Sequence, residues 1–179
     1  AFVGVMNQGK GALKLLNMIR ESKGEMDSLN VVMAGEEVYI QDPEYTASVR
    51  NLASELKNVE YYGEVTNGLK KEIYKKSKIL VYPYVQPWFE PFNLTAVESM
   101  MMGTPVLMMN NGSAKELIGD NVNMNLFRPA CDYDEFMHRL YEILPKLTKD
   151  KSYSRTVHDN AMRFDIKHMI DRYEKYFNE

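Results

Sequence analysis

Cysteine is all but missing from this chain. A single Cys131 in 179 residues excludes an internal disulfide and any cysteine-rich zinc site, and makes a reducing compartment, the cytoplasm, the expected setting. Charge of one sign is scarce too. Twenty-two basic against 25 acidic residues leave a net charge of −3, which offers no general attraction to nucleic acid or to an anionic membrane. No apolar run approaches the roughly 20 residues of a membrane span, so any membrane contact is expected to be peripheral, through parts of the protein beyond these residues. No signal-peptide pattern, internal repeat, low-complexity tract or linker is visible, and one domain over 1–179 is expected. The "GKG" at 9–11 lacks the spacing of a P-loop, which excludes an ATPase of that kind. His138, His158 and His168 lie on late helical patterns without ligand-like spacing, so neither a metal site nor histidine-based nucleophilic catalysis is expected.

What is present suits a buried core: 45% of residues are hydrophobic, with 26% charged to cover them. Six short apolar runs stand out, "AFVGVM" (1–6), "NVVMAG" (30–35), "VEYYG" (59–63), "KILVYPY" (78–84), "PVLMMN" (105–110) and "NLFRP" (125–129). They are too continuous for one-faced strands, which predicts a sheet covered on both faces. Between the runs lie amphipathic stretches. Tyr45, Val49, Leu52, Ala53 and Leu56 form one stripe, and Leu69 with Ile73 a shorter one. Helices are expected near 133–147 and 153–178, the second broken around Phe164–Asp165. This alternation predicts a doubly wound parallel α/β sheet of about six strands, in which ligands bind outside the carboxyl ends of the strands. That rule singles out "GVMNQGKG", "AGEE", "GEV", "YPYVQPWFEPF" and "NNGSAKE". The chain opens on Ala1 and reads at once as a strand, so it is expected to be a piece of a longer protein.

The most informative stretch is "WFEPFNLTAVESMMMGTPVLMM" (88–109), which carries Glu90 and Glu98 with seven residues between them. Asn93 is a good N-cap, so a helix is expected to start there. At 3.6 residues per turn, Leu94, Val97 and Met101 share a face, and Glu98 falls between the directions of Leu94 and Met102. That turns an acid toward the apolar side and leaves Ala96, Ser99 and Met100 on the solvated one. Such an acid needs a partner. A ligand with hydroxyl donors, such as a ribose, would serve; so would a backbone amide or a lysine inside the fold. The first helical turn leaves N–H groups at Asn93, Leu94 and Thr95 together with the Thr95 hydroxyl, a setting that receives anions such as a diphosphate.

Glu90-Pro-Phe-Asn-Leu-Thr-Ala-Val-Glu98, followed by Ser-Met-Met-Met-Gly103-Thr-Pro105-Val, resembles the E-x7-E signature of retaining glycosyltransferases with the GT-B fold. The likeness is to the large group of family 4-like glycosyltransferases that includes sucrose and glycogen synthases. "KSKILVYPY", "NVEYYGEV" and "NGSAKELIGDNVNMNLFRP" resemble flanking segments of the same family in the same order, so the likeness runs from residue 1 to about 145.

The resemblance implies a Rossmann-like domain, the carboxyl-terminal, donor-binding half of a GT-B enzyme, with a missing amino-terminal domain that binds the acceptor. It implies a nucleotide sugar as substrate, an acceptor of unknown class, no cofactor, no metal and no nucleic acid. Carried over by position, Glu90 sits against the transferred sugar as the catalytic acid residue and Glu98 hydrogen-bonds the ribose. The backbone at Asn93, Leu94 and Thr95 meets the phosphates, Lys10 neutralises them, and the backbone around Glu64 and Val65 faces the base. The same likeness leaves two alternatives, a non-catalytic nucleotide-sugar-binding or scaffold domain, and a GT-B-fold epimerase or phosphorylase. Four positions depart from the family pattern. Val5 stands where an Arg is usual, and Asn93, Ser113 and Met124 stand where Gly is usual. Asp132-Tyr-Asp134 matches the D-x-D of metal-dependent glycosyltransferases of another fold, but its place before "EFMHRLYEIL" predicts a helix cap. Glu116 reads equally as part of a short helix or as facing the donor sugar, and the exposed "VQPWF" as an acceptor contact or a surface closed by the missing domain.

Overall fold

The computed structural model describes the chain apart from residues 23, 25, 38–41, 88, 121, 151 and 179 and the side chains of 122, 123, 149, 169 and 172. Among the described residues, five parallel strands form two small sheets. In one, β1 (Phe2–Val3) pairs with β2 (Val31–Ala34), and β2 with β3 (Val59–Tyr61). In the other, β4 (Leu80–Tyr82) pairs with β5 (Val106–Met108). The Val81 N–H donates to the Ala1 carbonyl at 2.9 Å, so the sheets abut in the order β3-β2-β1-β4-β5. The chain leaves β1 toward one side and returns at β4 on the other. The crevice between the loops after β1 and β4 is therefore a topological switch point, where ligands of such sheets bind.

The expected sixth strand at 125–129 does not form. Residues Val122–Phe127 make a 3-10 helix instead, and only Ala130 pairs in parallel with Met109. Two physical reasons suffice. Met124 and Phe127 are both buried, a three-residue period that suits a 3-10 turn and not a strand. Pro129 also has no N–H to give a ladder. Met124, one of the departures from the family pattern, thus fills the core. The first run is also shorter than expected: β1 ends at Val3, although Met6 still pairs in parallel with Glu37.

Helices α1 (Ala12–Glu21), α2 (Pro43–Glu55), α3 (Asn67–Lys76), α4 (Leu94–Met101) and α5 (Ala114–Ile118) alternate with these strands. They are followed by α6 (Tyr133–Lys149), α7 (Ser152–Ala161) and α8 (Ile166–Asn178), with a 3-10 turn over Met162–Phe164 where the break was expected. The α2 stripe packs as read, with Val49, Leu52 and Ala53 buried. On α3 it is Ile73 and Tyr74 that are buried, while Leu69 is exposed. Asp132 caps α6 by accepting the Glu135 N–H at 2.8 Å, as its position predicts.

The face of α4 is corrected. Val97 is buried and Met101 partly so, as expected, but Ala96, Ser99 and Met100 are fully buried as well and Leu94 is 66% exposed. Helix α7 crosses over α4, so that a Cβ on Gly103 would lie 2.2 Å from Ser154 Oγ, and His158 Nδ1 sits 2.7 Å from the Met101 carbonyl. Glu98 lies on the flank of the helix that faces α3. The sequence pattern of α4 alone carries no trace of a covering helix some 50 residues later. At the other end α8 leaves Ile166, Ile170, Tyr173, Tyr176 and Phe177 exposed. An open cleft of about 1110 Å³ separates it from Phe92 and Leu94 at the start of α4. Among the described residues no helix is long and apolar enough to cross a membrane.

Candidate functional site

The loops after β1 and β4 touch at the switch point. Gly11, at φ +84°, caps the start of α1, and a Cβ there would lie 2.1 Å from the Pro83 carbonyl, so only glycine admits the approach. The Val85 N–H donates to Gly9 C=O at 2.9 Å and joins the same two loops. Lys10, whose amide donates to Asn7 Oδ1 at 2.8 Å, is thereby pointed across the crevice.

Its ammonium lies 2.9 Å from Glu90 Oε2, with the two side chains only 15% and 9% exposed. Oε2 is nonetheless buried without an aligned hydrogen bond, so the contact is a Coulombic pairing and not a directed bond. Glu90 is held from behind by the loop after β5. Its N–H donates to Asn111 Oδ1 at 3.0 Å, and its carbonyl accepts the Ser113 N–H at 3.2 Å. Gly112, at φ +50°, sits where a Cβ would fall 1.8 Å from the Glu90 carbonyl oxygen. Ser113, another departure from the family pattern, is buried in this loop.

Asn93 starts α4 as expected, accepting the Ala96 N–H at 3.0 Å. Its φ of −91° is ordinary extended backbone, so no left-handed turn is needed here and Asn replaces Gly for its cap. Its amide donates to Tyr84 Oη at 2.6 Å, which locks the buried side chain. Leu94 and Thr95 amides have no acceptor within the helix, as at any helix start. The Thr95 hydroxyl is already engaged, 2.7 Å from both Asn93 Oδ1 and Tyr82 Oη, the latter also 2.6 Å from the Val3 carbonyl. A Cβ built on Gly4 would lie 3.9 Å from Thr95 Oγ1 and 4.0 Å from Lys10 Nζ, so the end of β1, the lysine and the start of α4 converge on one space. Val5, where an Arg is usual in the family, is half-buried beside it.

Glu98 is not turned into the core. Its side chain is 44% exposed, with Lys70 Nζ 2.9 Å from Oε2 and 3.3 Å from Oε1, while Tyr74 Oη donates to Oε2 at 2.9 Å. Burial, followed by the neighbouring negative charge of Glu98, pushes the Tyr74 phenol well above its ordinary pKa and keeps it a donor. Of the two partners foreseen for Glu98 from spacing, the lysine is the one present within the fold. Val65 follows β3 and packs half-buried on the core, and Glu64 beside it is exposed. The Gly35 N–H donates to the Gly63 carbonyl at 2.7 Å and ties the ends of β2 and β3 together. Glu116 is exposed on α5, and of the "VQPWF" stretch Phe89 is 67% exposed while Trp88 lies outside the described residues.

Several neighbours of the site were not foreseen. Lys70 and Tyr74 are four apart on α3 and share a face, a pattern that was legible but anonymous without its partner. Tyr82 and Tyr84 looked like core strand residues, and their hydroxyls are what anchor the start of α4. Glu37 at the end of β2 forms an ion pair with Arg50 and accepts a 2.5 Å hydrogen bond from Tyr61. Hydrogen bonding to the Arg50 guanidinium holds its carboxyl below the usual range. Nothing in the sequence links these three.

The profile of the family described as "Glycosyl transferases group 1" matches residues 1–158. An uncharacterized glycosyltransferase of Methanocaldococcus jannaschii is 31% identical over 125 residues, covering 68% of this chain and 30% of that protein. The alpha-1,3/1,6-mannosyltransferase ALG2 of Debaryomyces hansenii is 33% identical over 102 residues, covering 52% and 21%. The chain thus spans less than a third of the length of these curated relatives. Among solved structures, Anabaena HepE in complex with UDP superposes with a TM-score of 0.77 at 17% identity, over 99% of this chain and 48% of that one. The catalytic domain of Arabidopsis thaliana starch synthase IV, bound to ADP and acarbose, gives 0.73 at 18%, over 99% and 38%. At such identities the superpositions establish the fold, which is one half of the GT-B architecture. The chain therefore belongs to the glycosyl transferases group 1 family, as a carboxyl-terminal domain of GT-B fold.

Proposed function

We propose that this domain binds the nucleoside diphosphate sugar of a retaining glycosyl transfer in which a hexose-type sugar passes to an acceptor hydroxyl. The observation that carries the reading is the Lys10–Glu90 pair at the switch point, facing the free amides at the start of α4. In this reading the diphosphate lies over the end of β1, where Lys10 and the amides of Asn93, Leu94 and Thr95 meet its charge. A departing nucleoside diphosphate gains negative charge as the glycosidic bond breaks, so cationic and N–H donors there favour the transition state over the ground state. Glu90 is the carboxylate against the transferred sugar, Glu98 the ligand of the ribose, and the backbone around Glu64 and Val65 the neighbour of the base. The UDP bound to HepE and the ADP bound to starch synthase IV support the class of ligand, and leave base and sugar open.

The reading includes a second, acceptor-binding domain in the whole protein. The short share of its relatives that this chain spans supports it, as does the exposed apolar side of α8 beside an open cleft. Without that domain the chain is expected to bind donor and transfer little or nothing. One observation favours a second reading, a non-catalytic nucleotide-sugar-binding domain: Val5 supplies no charge where the family has a second phosphate-binding cation. Titration calorimetry with UDP, GDP and ADP sugars tests both. Absence of binding to all three refutes a donor site. Binding, together with a full-length protein that neither transfers nor hydrolyses the donor, selects the second reading.

A further inference from the structure

We propose that Tyr74 is a positioning residue that holds the Glu98 carboxylate by Oε2 and so presents Oε1 to the ribose hydroxyls, with Lys70 as a displaceable counter-ion. This rests on the reading of Glu98 as the ribose ligand. An ionised carboxylate has about four lone-pair directions, two on each oxygen. Oε2 accepts the Tyr74 hydroxyl at 2.9 Å, and Lys70 Nζ lies against the same oxygen at 2.9 Å as an ion-pair contact without hydrogen-bond alignment. Oε1 accepts the aligned hydrogen bond from Lys70, a long one at 3.3 Å. A ribose presents two adjacent hydroxyl donors, so it finds one open direction on Oε1 and gains the second when Lys70 withdraws its weaker contact.

The two partners differ in how firmly they are held. Tyr74 is 1% exposed, and its carbonyl accepts both the Thr104 hydroxyl at 2.7 Å and the Ser77 N–H at 3.1 Å. Its hydroxyl therefore acts as a fixed peg. Lys70 ends a flexible side chain that is 23% exposed, and an ammonium with three rotatable donors is readily shared with water. Thr104 belongs to the Gly-Thr-Pro turn after α4, so the peg is braced by the same segment that carries Glu98. Spacing of the acids alone explains why a carboxylate stands at this position. The Tyr74 hydroxyl explains which of its oxygens is held from within the fold.

The test is titration calorimetry of the chain with UDP, GDP and ADP, each against its 2′-deoxy and 3′-deoxy analogue. Hydrogen bonds to a charged group of this kind correspond to about a tenfold loss of affinity when a ribose hydroxyl is removed. In the unaltered chain at least one deoxy analogue is expected to bind about tenfold more weakly. Tyr74→Phe, which keeps the ring, is expected to reduce that ratio to roughly twofold while leaving pyrophosphate affinity unchanged, because the phosphate space is lined by Lys10 and α4. Lys70→Met is expected to keep or raise the ratio. If Tyr74→Phe binds and discriminates like the unaltered chain, or Lys70→Met abolishes the ratio, the assignment is overturned and the donor site stands. If the unaltered chain binds no nucleotide, the donor reading falls and the assignment with it. If it binds ribose and deoxyribose forms alike, Glu98 is not the ribose ligand and the assignment falls with that role. Should Tyr74→Phe fail to fold by circular dichroism, the Lys70→Met ratio decides alone.

Discussion

Lys10→Met removes the cation from a carboxylate that is 9% exposed and has no aligned hydrogen bond on Oε2. At 2.9 Å and an effective dielectric of about 20, the attraction lost is ~6 kcal/mol before desolvation is counted. Breaking one partner of a buried pair typically costs about 3–5 kcal/mol, because the remaining charge is left unpaired. The crevice is open to water on the lysine side, so the low end applies, ~3 kcal/mol. For a chain of this length that corresponds to a melting temperature lower by roughly 6–12 °C. Glu90→Gln removes the charge that Lys10 would leave behind, so the double variant is expected to recover most of the loss. Urea denaturation of the four proteins, unaltered, single, single and double, gives the coupling energy directly. A coupling near 3 kcal/mol is the expected result. A value below about 0.5 kcal/mol would show two independently solvated side chains, and would remove the pair as the observation on which the donor site rests.

Other perturbations follow from the same contacts. Asn93→Ala removes a helix cap and leaves the buried Tyr84 hydroxyl without its amide donor, for a combined loss of ~2 kcal/mol in urea denaturation; a loss under about 0.5 would contradict the network. Gly112→Ala forces a Cβ to within 1.8 Å of the Glu90 carbonyl at φ +50°, so it is expected to cost at least ~2 kcal/mol and to weaken nucleotide-sugar binding together with stability. Wild-type thermal stability with donor loss alone would place the strain elsewhere. The Glu37 carboxyl titrates below its ordinary value in the fold, through its bonds to Arg50. Its stabilisation is present above the unfolded pKa and is lost as pH falls through the lowered folded one. Arg50 is half exposed, so the amount is only ~0.5–1 kcal/mol. Glu37→Gln should therefore be less stable than the unaltered chain at pH 7, with the gap narrowing as pH falls through the lowered folded pKa. A gap that does not narrow as the medium is acidified would point to packing and not charge.

How far the residues could be read depended on whether their partners were local. The α2 stripe, the Asn93 and Asp132 caps and the break near 164 were legible, because each is set by neighbours within one or two helical turns. Glu90 and Glu98 could be picked out because acids at that spacing in an apolar segment need an explanation. The buried side of α4 was read only in part, since α7, which packs against its end at Met101 and Gly103, lies some 50 residues on. The run at 125–129 looked like a strand by its apolar residues, and a Pro without an N–H together with a three-residue burial period made it a 3-10 turn.

The sequence by itself determined the class of fold and the alternation of strands and helices apart from the run at 125–129, and its resemblance to known motifs pointed to the family. These depend on periodicity, caps and motif spacing, all of which are written along the chain. Tertiary structure alone decided what each acid faces. Glu90 meets Lys10 because two loops from strands far apart in sequence become neighbours at the switch point. Glu98 meets Lys70 and Tyr74 because α3 packs beside α4 and α7 fills the side that would otherwise be open. Which partners a carboxylate meets is a matter of ångströms between separate elements, and no spacing along one of them contains it.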